Sequence, residues 1–210
     1  MMFLQRVGKQ LRNRSTADIC RKMAFWFSQK KSLFWPPFKK MRALIYFKNG
    51  SVILGKGVLL KGLSYNVAVG KGCNIYDYCI FEMVGDKTCF SVGEDCLFSY
   101  GTLISCSEKI SIGNHVMIGE YTSVRDTTHN YNDTNHYMKE AADISAPVII
   151  GNDVWIGRGC IIMGGTVIED GVVVAAHSVV KGRLEKQGIY GGVPAKFIKN
   201  RNSPAVTGAP

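Results

Sequence analysis

An aliphatic residue returns at every sixth position from Ile150 through Ile156, Ile162, Ile168 and Val174 to Val180. No other feature of the chain restricts its fold as strongly. The same beat runs through Val69, Ile75 and Phe81, and through Val92, Phe98, Ile104 and Ile110. After a two-residue slip it continues in Ile112, Ile118 and Val124, and Val52 and Val58 form a weaker start. Six residues turn an α-helix through about 600°, which would scatter these anchors over its whole surface. Four positions after the anchors stand small or modest residues, among them Cys73, Cys96, Thr102, Thr122, Cys160 and Ser178. The residue after the anchor is often glycine, as at Gly70, Gly93, Gly113, Gly119, Gly151 and Gly157, which suggests a corner that needs permissive backbone angles. Each hexad is then a short strand and a bend, and stacked hexads make a mainly β parallel solenoid.

Charge and glycine divide the chain near residue 50. Residues 1–50 hold 12 Lys/Arg against the single acid Asp18, a balance of +11, and the remaining 14 basic and 15 acidic residues nearly cancel. Gly8 is the only glycine before Gly50. The division predicts a basic, aromatic-rich segment over 1–50, a solenoid over 51–199 and a flexible tail over 200–210. The 46% hydrophobic and 20% charged content excludes a globally disordered chain. With no apolar run of spanning length and no signal-type start, a cytoplasmic protein is expected. An odd count of seven cysteines, none in a zinc-type spacing, argues against both a disulfide framework and a metal site.

The hexads written Ile-Gly-Asn-Asp-Val-Trp-Ile-Gly (150–157) and the later Gly192-Val193-Pro194-Ala195-Lys196 resemble the hexapeptide-repeat acyltransferases, nearest the branch of maltose, galactoside and polysaccharide O-acetyltransferases. The resemblance covers about residues 52–199. It implies a left-handed parallel β-helix with three hexads per coil, acetyl-CoA as cofactor, and a homotrimer with each site between neighbouring prisms. At 18 residues per coil the repeats supply about six layers, a prism about 30 Å tall at the usual strand spacing.

Between Val124 and Ile150 the period lapses, and residues 126–147 form an excursion with two of the four histidines. A long loop in a compact repeat is usually functional or disordered. His129 lies five residues after an anchor, where a rigid coil would support it, whereas His115 and His177 fall beside inward positions and read as surface residues. A hydroxyl is too weak an acid to attack a thioester unaided, and imidazole can take its proton. The resemblance likewise implies His129 as the base, although the proline that follows this histidine in the family is replaced by Asn130; His136 is the alternative. Asp126 or Asp133 is the expected acceptor for the other ring nitrogen. Asp133, Ser99 and Tyr100 are candidate acceptor contacts.

Trp155 points outward from its hexad, and the resemblance makes it a lining residue beside the cofactor arm. By the same resemblance Gly157, Arg158, Gly159, Ala175 and Ala176 flank the pantetheine. Lys181, Arg183 and Lys196 are phosphate partners, and Val193 and Pro194 border the adenine. In residues 1–50, basic pairs alternate with aromatic clusters: Arg21-Lys22 before Phe25-Trp26-Phe27, Lys30-Lys31 before Phe34-Trp35, Lys39-Lys40 before Ile45-Tyr46-Phe47. That pattern suits either a cap over the first coil or peripheral contact with a membrane, and nucleic acid is not expected. Pro36-Pro37 is expected to end any helix reaching it. The function expected is O-acetylation of a saccharide hydroxyl, in cell-surface polysaccharide or lipid-linked glycan synthesis. N-acetylation of a nucleotide-linked amino sugar and a non-catalytic scaffold are the alternatives.

Overall fold

The computed structural model describes residues 36–62, 66–85 and 87–202. The expectations for residues 1–35, including most of the basic-aromatic pattern, and for the tail from residue 203 lie outside the described residues. Short strands stack in three sheets, here called the first, second and third faces. Each coil contributes one strand to each face in that order, and among the described residues six coils are complete.

Anchors stand on anchors. On the first face Phe98, Ile118, Ile156 and Val174 are successive parallel partners. On the second face the column is Ile104, Val124, Ile162 and Val180, and on the third it is Ile112, Ile150, Ile168 and Leu184. All of these side chains are buried. The residues four places on fill the corners of the core. Thr122 shows how a polar residue is tolerated there: its hydroxyl donates to Gly157 O at 2.9 Å and accepts from Cys160 N at 3.2 Å. The described cysteines are free thiols. Burial pushes the Cys79 thiol up to about 11, so it behaves as a small protonated hydrophobe.

The glycines after the anchors are not there for conformational freedom. None of the six has a positive φ; the left-handed residue is the third after the anchor, as at Tyr78, Asp95, His115, Tyr121, Asp153 and His177. What these glycines lack is room. A Cβ on Gly113 would stand 2.6 Å from Gly151 O, and one on Gly157 would stand 2.6 Å from Ala176 N. Coils at strand spacing press backbone on backbone at this point, so a side chain has nowhere to go.

Both ends of the prism are closed. Pro36-Pro37 opens a helix instead of ending one: α1 spans Pro36–Phe47, and proline suits the first turn, where its missing N–H has no intrahelical partner. Ala43, Tyr46 and Phe47 are buried against the first coils, with Phe47 edge-on to Phe81 at 5.3 Å between centroids. The buried Arg42 donates through Nη2 to Val58 O at 2.7 Å. This part of the basic-aromatic segment is therefore a cap. At the other end Lys196–Asn200 folds back antiparallel on Gly188–Gly191, and Arg201 ties it down through Asp153 Oδ2 (2.8 Å) and Gly171 O (2.9 Å). Among the described residues no helix is long and apolar enough to cross a membrane.

Candidate active site

The excursion leaves the prism after Ser123–Arg125 on the second face and rejoins it at Val148–Ile150 on the third. Its stem is a two-residue antiparallel ladder, Thr127 opposite Ser145 and Thr128 opposite Ile144. Ala146 N donates to Asp126 O at 2.7 Å, and Gly165 N to Ala146 O at 3.1 Å. Gly164 makes room for this root, since a Cβ there would stand 2.9 Å from Asp126 O.

Asp126 is fully buried and does not orient the histidine. Its carboxylate accepts from the backbone N–H groups of Ser107 (2.8 Å), Glu108 (2.7 Å) and Lys109 (2.8 Å), and from the Thr127 hydroxyl (3.0 Å). These donors compensate a charge that would otherwise be too costly to bury. Asp126 thereby pins the first residue of the loop to the turn of the preceding coil. Cys106, within 3.6 Å of the same carboxylate, has its thiol pushed well above its ordinary value, first by burial and then by that charge.

The partner of His129 is Asp143, a residue that the sequence reading did not single out. His129 Nδ1 and Asp143 Oδ1 are 2.8 Å apart. The stem explains the meeting, because pairing 128 with 144 brings 129 and 143 face to face as the next rung outward. With Nδ1 protonated and donating to the carboxylate, Nε2 is the free acceptor. The histidine side chain is 75% exposed, so Nε2 is open to a reacting group. Asp133, the other orienting candidate, pairs instead with His136 Nδ1 at 2.9 Å and caps Asn135 N at 2.9 Å. That pairing holds its carboxyl below the ordinary carboxylate value. The loop thus carries two separate His–Asp pairs, and its exposed Tyr131, Tyr137 and Met138 give it an apolar surface.

Trp155 is exposed on the first face, between Met117 below and Val173 above. The loop leaves the opposite corner, where the second and third faces meet. His129 is only three residues beyond the buried Asp126, a reach of about 10 Å at full extension. Trp155 and His129 of one prism therefore do not line a common site. Gly157, Arg158, Gly159, Ala175 and Ala176 follow Trp155 around the corner between the first and second faces. There the His177 ring lies over Gly159, so that a Cβ would meet it at 2.6 Å. Ser99 and Tyr100 occupy the same corner two coils lower. Of the basic candidates, Lys181 and Lys196 are exposed, whereas Arg183 is already bonded to Glu169 and within 3.4 Å of Glu185. Val193 is exposed beside Pro194, and Ala195 N hooks the turn to Val179 O at 2.8 Å.

The bacterial transferase hexapeptide (six repeats) model matches residues 147–182. Among solved structures, a variant of AntD, an N-acyltransferase from Bacillus cereus bound to dTDP-4-amino-4,6-dideoxyglucose and coenzyme A, is 27% identical, covering 71% of this chain and 83% of that one with a TM-score of 0.57. A hexapeptide-repeat acetyltransferase from Vibrio cholerae O1 biovar eltor in complex with acetyl coenzyme A is 20% identical, covering 89% of this chain and 88% of its own, with a TM-score of 0.56. A maltose O-acetyltransferase from Clostridium difficile 630 is 22% identical, covering 89% of each chain with a TM-score of 0.50. No curated protein sequence matches the chain.

Proposed function

We propose that this hexapeptide-repeat protein is an acetyl-CoA-dependent O-acetyltransferase that acts on a saccharide hydroxyl, with His129 as general base. The observation that carries the proposal is the His129–Asp143 pair on a loop rooted in the prism by Asp126. A scaffold has no use for an exposed imidazole held in one tautomer.

The upper corner between the first and second faces fits an extended, amide-bearing arm. Ala175 and Ala176 keep large side chains off a strip one coil above Trp155, over the buried Gly157 and the His177-covered Gly159, which leaves room for such an arm. Lys181 and Lys196 supply ammonium groups for its phosphates. Arg183 does not fit that role, because Glu169 and Glu185 already hold its guanidinium. When bound, the cofactor supplies an acetyl thioester whose carbonyl carbon the acceptor oxygen attacks. His129 Nε2 takes the proton of that oxygen, while Nδ1–H keeps its bond to Asp143 and stabilises the charge on the ring. The imidazolium can then return the proton to the departing sulfur. The transfer needs no covalent acyl-protein step, and burial raises the Cys79 and Cys106 thiols well above their ordinary value, which keeps them protonated.

Because His129 and Trp155 lie on opposite sides of one prism, the complete site takes the loop of one copy and the first face of another, in a homotrimer. N-acylation of a nucleotide-linked amino sugar is the second reading, favoured by the 27% identity to AntD. A thiol-release assay separates the two. Purified protein with acetyl-CoA is offered oligosaccharides in one arm and nucleotide-linked amino sugars in the other, with His129→Ala in parallel. Release that depends on an oligosaccharide and is lost in the variant supports O-acetylation. Release confined to the amino-sugar arm supports the second reading. No release in either arm overturns both.

A further inference from the structure

One corner of the prism carries an aromatic pattern that proton transfer does not use. Between the first and second faces, successive coils place Gly57, Tyr78, Gly101, Tyr121, Gly159 and His177 in one column, all with φ between 56° and 68°. Glycine and ring alternate because a side chain in this conformation reaches down onto the coil before it. A Cβ on Gly57 would meet the Tyr78 ring at 2.5 Å, and one on Gly101 would meet the Tyr121 ring at 2.7 Å. Two further tyrosines join the corner: Tyr76 and Tyr100 meet edge to face at 5.2 Å. Tyr76, Tyr78, Tyr100 and Tyr121 are 38%, 56%, 47% and 66% exposed.

We propose that Tyr76, Tyr78, Tyr100 and Tyr121 form a track for an extended neutral glycan, running down the corner from the acetyl-transfer site. The proposal rests on the transferase reading for the position of that site, since the same corner holds the small-residue strip two coils higher. It makes the acceptor an oligosaccharide or polysaccharide instead of a single sugar.

Chemistry selects this occupant. Across the second, third and fourth coils the corner reads Tyr76-Asp77-Tyr78, Ser99-Tyr100-Gly101 and Gly119-Glu120-Tyr121. Aromatic faces pack against the C–H faces of sugar rings, and phenol and carboxylate oxygens accept from or share hydrogen bonds with hydroxyls. None of these nine residues is Lys or Arg and two are acidic, and the basic residues of the column, Lys56 and Arg158, stand only in the coils below and above, so a diphosphate finds no cationic cradle within the track. A protein partner has a better surface on the adjoining first face, where Leu97, Met117, Trp155 and Val173 make an apolar stripe. The coils involved are spaced at about 4.8 Å, so the track spans about 10 Å beyond its first ring.

The test uses the full chain and a size series of maltooligosaccharides and chitooligosaccharides of increasing length. Binding is followed by saturation-transfer NMR and turnover by thiol release, in wild type and in Tyr76→Ala/Tyr100→Ala, with the assembly state checked by sedimentation. The expected result is tighter binding of the longer members of at least one series, with a loss of about tenfold in affinity or KM for those members in the variant. The loss should shrink as the chain shortens, and sedimentation should not change. Length-independent binding, no binding of either series, or a variant that matches wild type would each overturn the track. A variant that binds normally but dissociates would assign the tyrosines to the subunit interface. If length-dependent binding is lost in the variant while neither protein releases thiol with any acceptor, the track stands and the transferase reading falls.

Discussion

His129 Nδ1 meets Asp143 Oδ1 at 2.8 Å across a stem that pairs Thr128 with Ile144. The carboxylate is half exposed, so the pair adds little to stability and acts chiefly on the direction and tautomer of the ring. Asp143→Ala is therefore expected to lower kcat for thiol release by about 10²-fold while the melting temperature stays within a degree or two of wild type. Steady-state kinetics beside calorimetry checks both halves. Unchanged kcat would show that the ring needs no second partner.

Asp126 predicts the opposite signature. Three backbone N–H groups and a hydroxyl converge on a carboxylate with no exposed surface. Asp126→Ala leaves those donors buried and unpaired, and the expected cost is about 3–5 kcal/mol of stability, read from urea unfolding. Activity should fall with it, because the loop root loses its tie to the preceding coil. A variant as stable as wild type would show that water replaces the carboxylate.

Much of the prism was legible in the chain. The six-residue beat placed the anchors, the inward corner residues and the interruption, because every coil repeats the same backbone geometry and period alone determines which residues face inward. The loop was harder. Asp126 and Asp133 stand three and four residues from His129 and are nearly equivalent by spacing, whereas the pairing of His129 with Asp143 depends on an antiparallel register that closes over fourteen residues. Thr127-Thr128 and Ile144-Ser145, two short β-prone runs flanking the polar excursion, were the available signal. The post-anchor glycines are legible in position but not in cause. Sequence gives their positions, whereas the clash that requires them is with a coil 18 or more residues away.

That clash is itself measurable. Gly113 has no positive φ, yet a Cβ would stand 2.6 Å from Gly151 O. Gly113→Ala should destabilise by about 1–3 kcal/mol, since neither coil can yield without breaking its strand pairing. Gly85, which has nothing within 4 Å of its Cβ position and a φ of 99°, provides a control for conformation alone. A smaller loss at Gly113 than at Gly85 would contradict the steric account.

The second pair in the loop sets a pH response. His136, and then the Asn135 N–H, favour the charged form of Asp133 and depress its pKa below the ordinary 3.8. The stabilising contribution is complete above the unfolded-state value and is lost as pH falls through the lower folded-state value. A carbon-13 titration of the Asp133 carboxyl should show a midpoint below 3.8 that rises toward it in His136→Ala. An unchanged midpoint would mean that the backbone donor alone sets it.

A site shared between copies makes a prediction that no single-chain site can match. His129 projects from the corner opposite the face that carries Trp155, so in a closed ring each site would draw the two residues from different protomers. His129→Ala and Trp155→Ala, each expected to be poor alone, should then complement when they are unfolded together and reassembled. Random mixing gives each loop donor an intact histidine half the time and each face donor an intact tryptophan half the time, so about one quarter of the sites are whole. Thiol release near that fraction of wild type, absent when the two variants are refolded separately and then combined, is the expected outcome. If the two residues served one site within the same chain, no mixture could hold both intact, and activity would stay at the level of the separate variants.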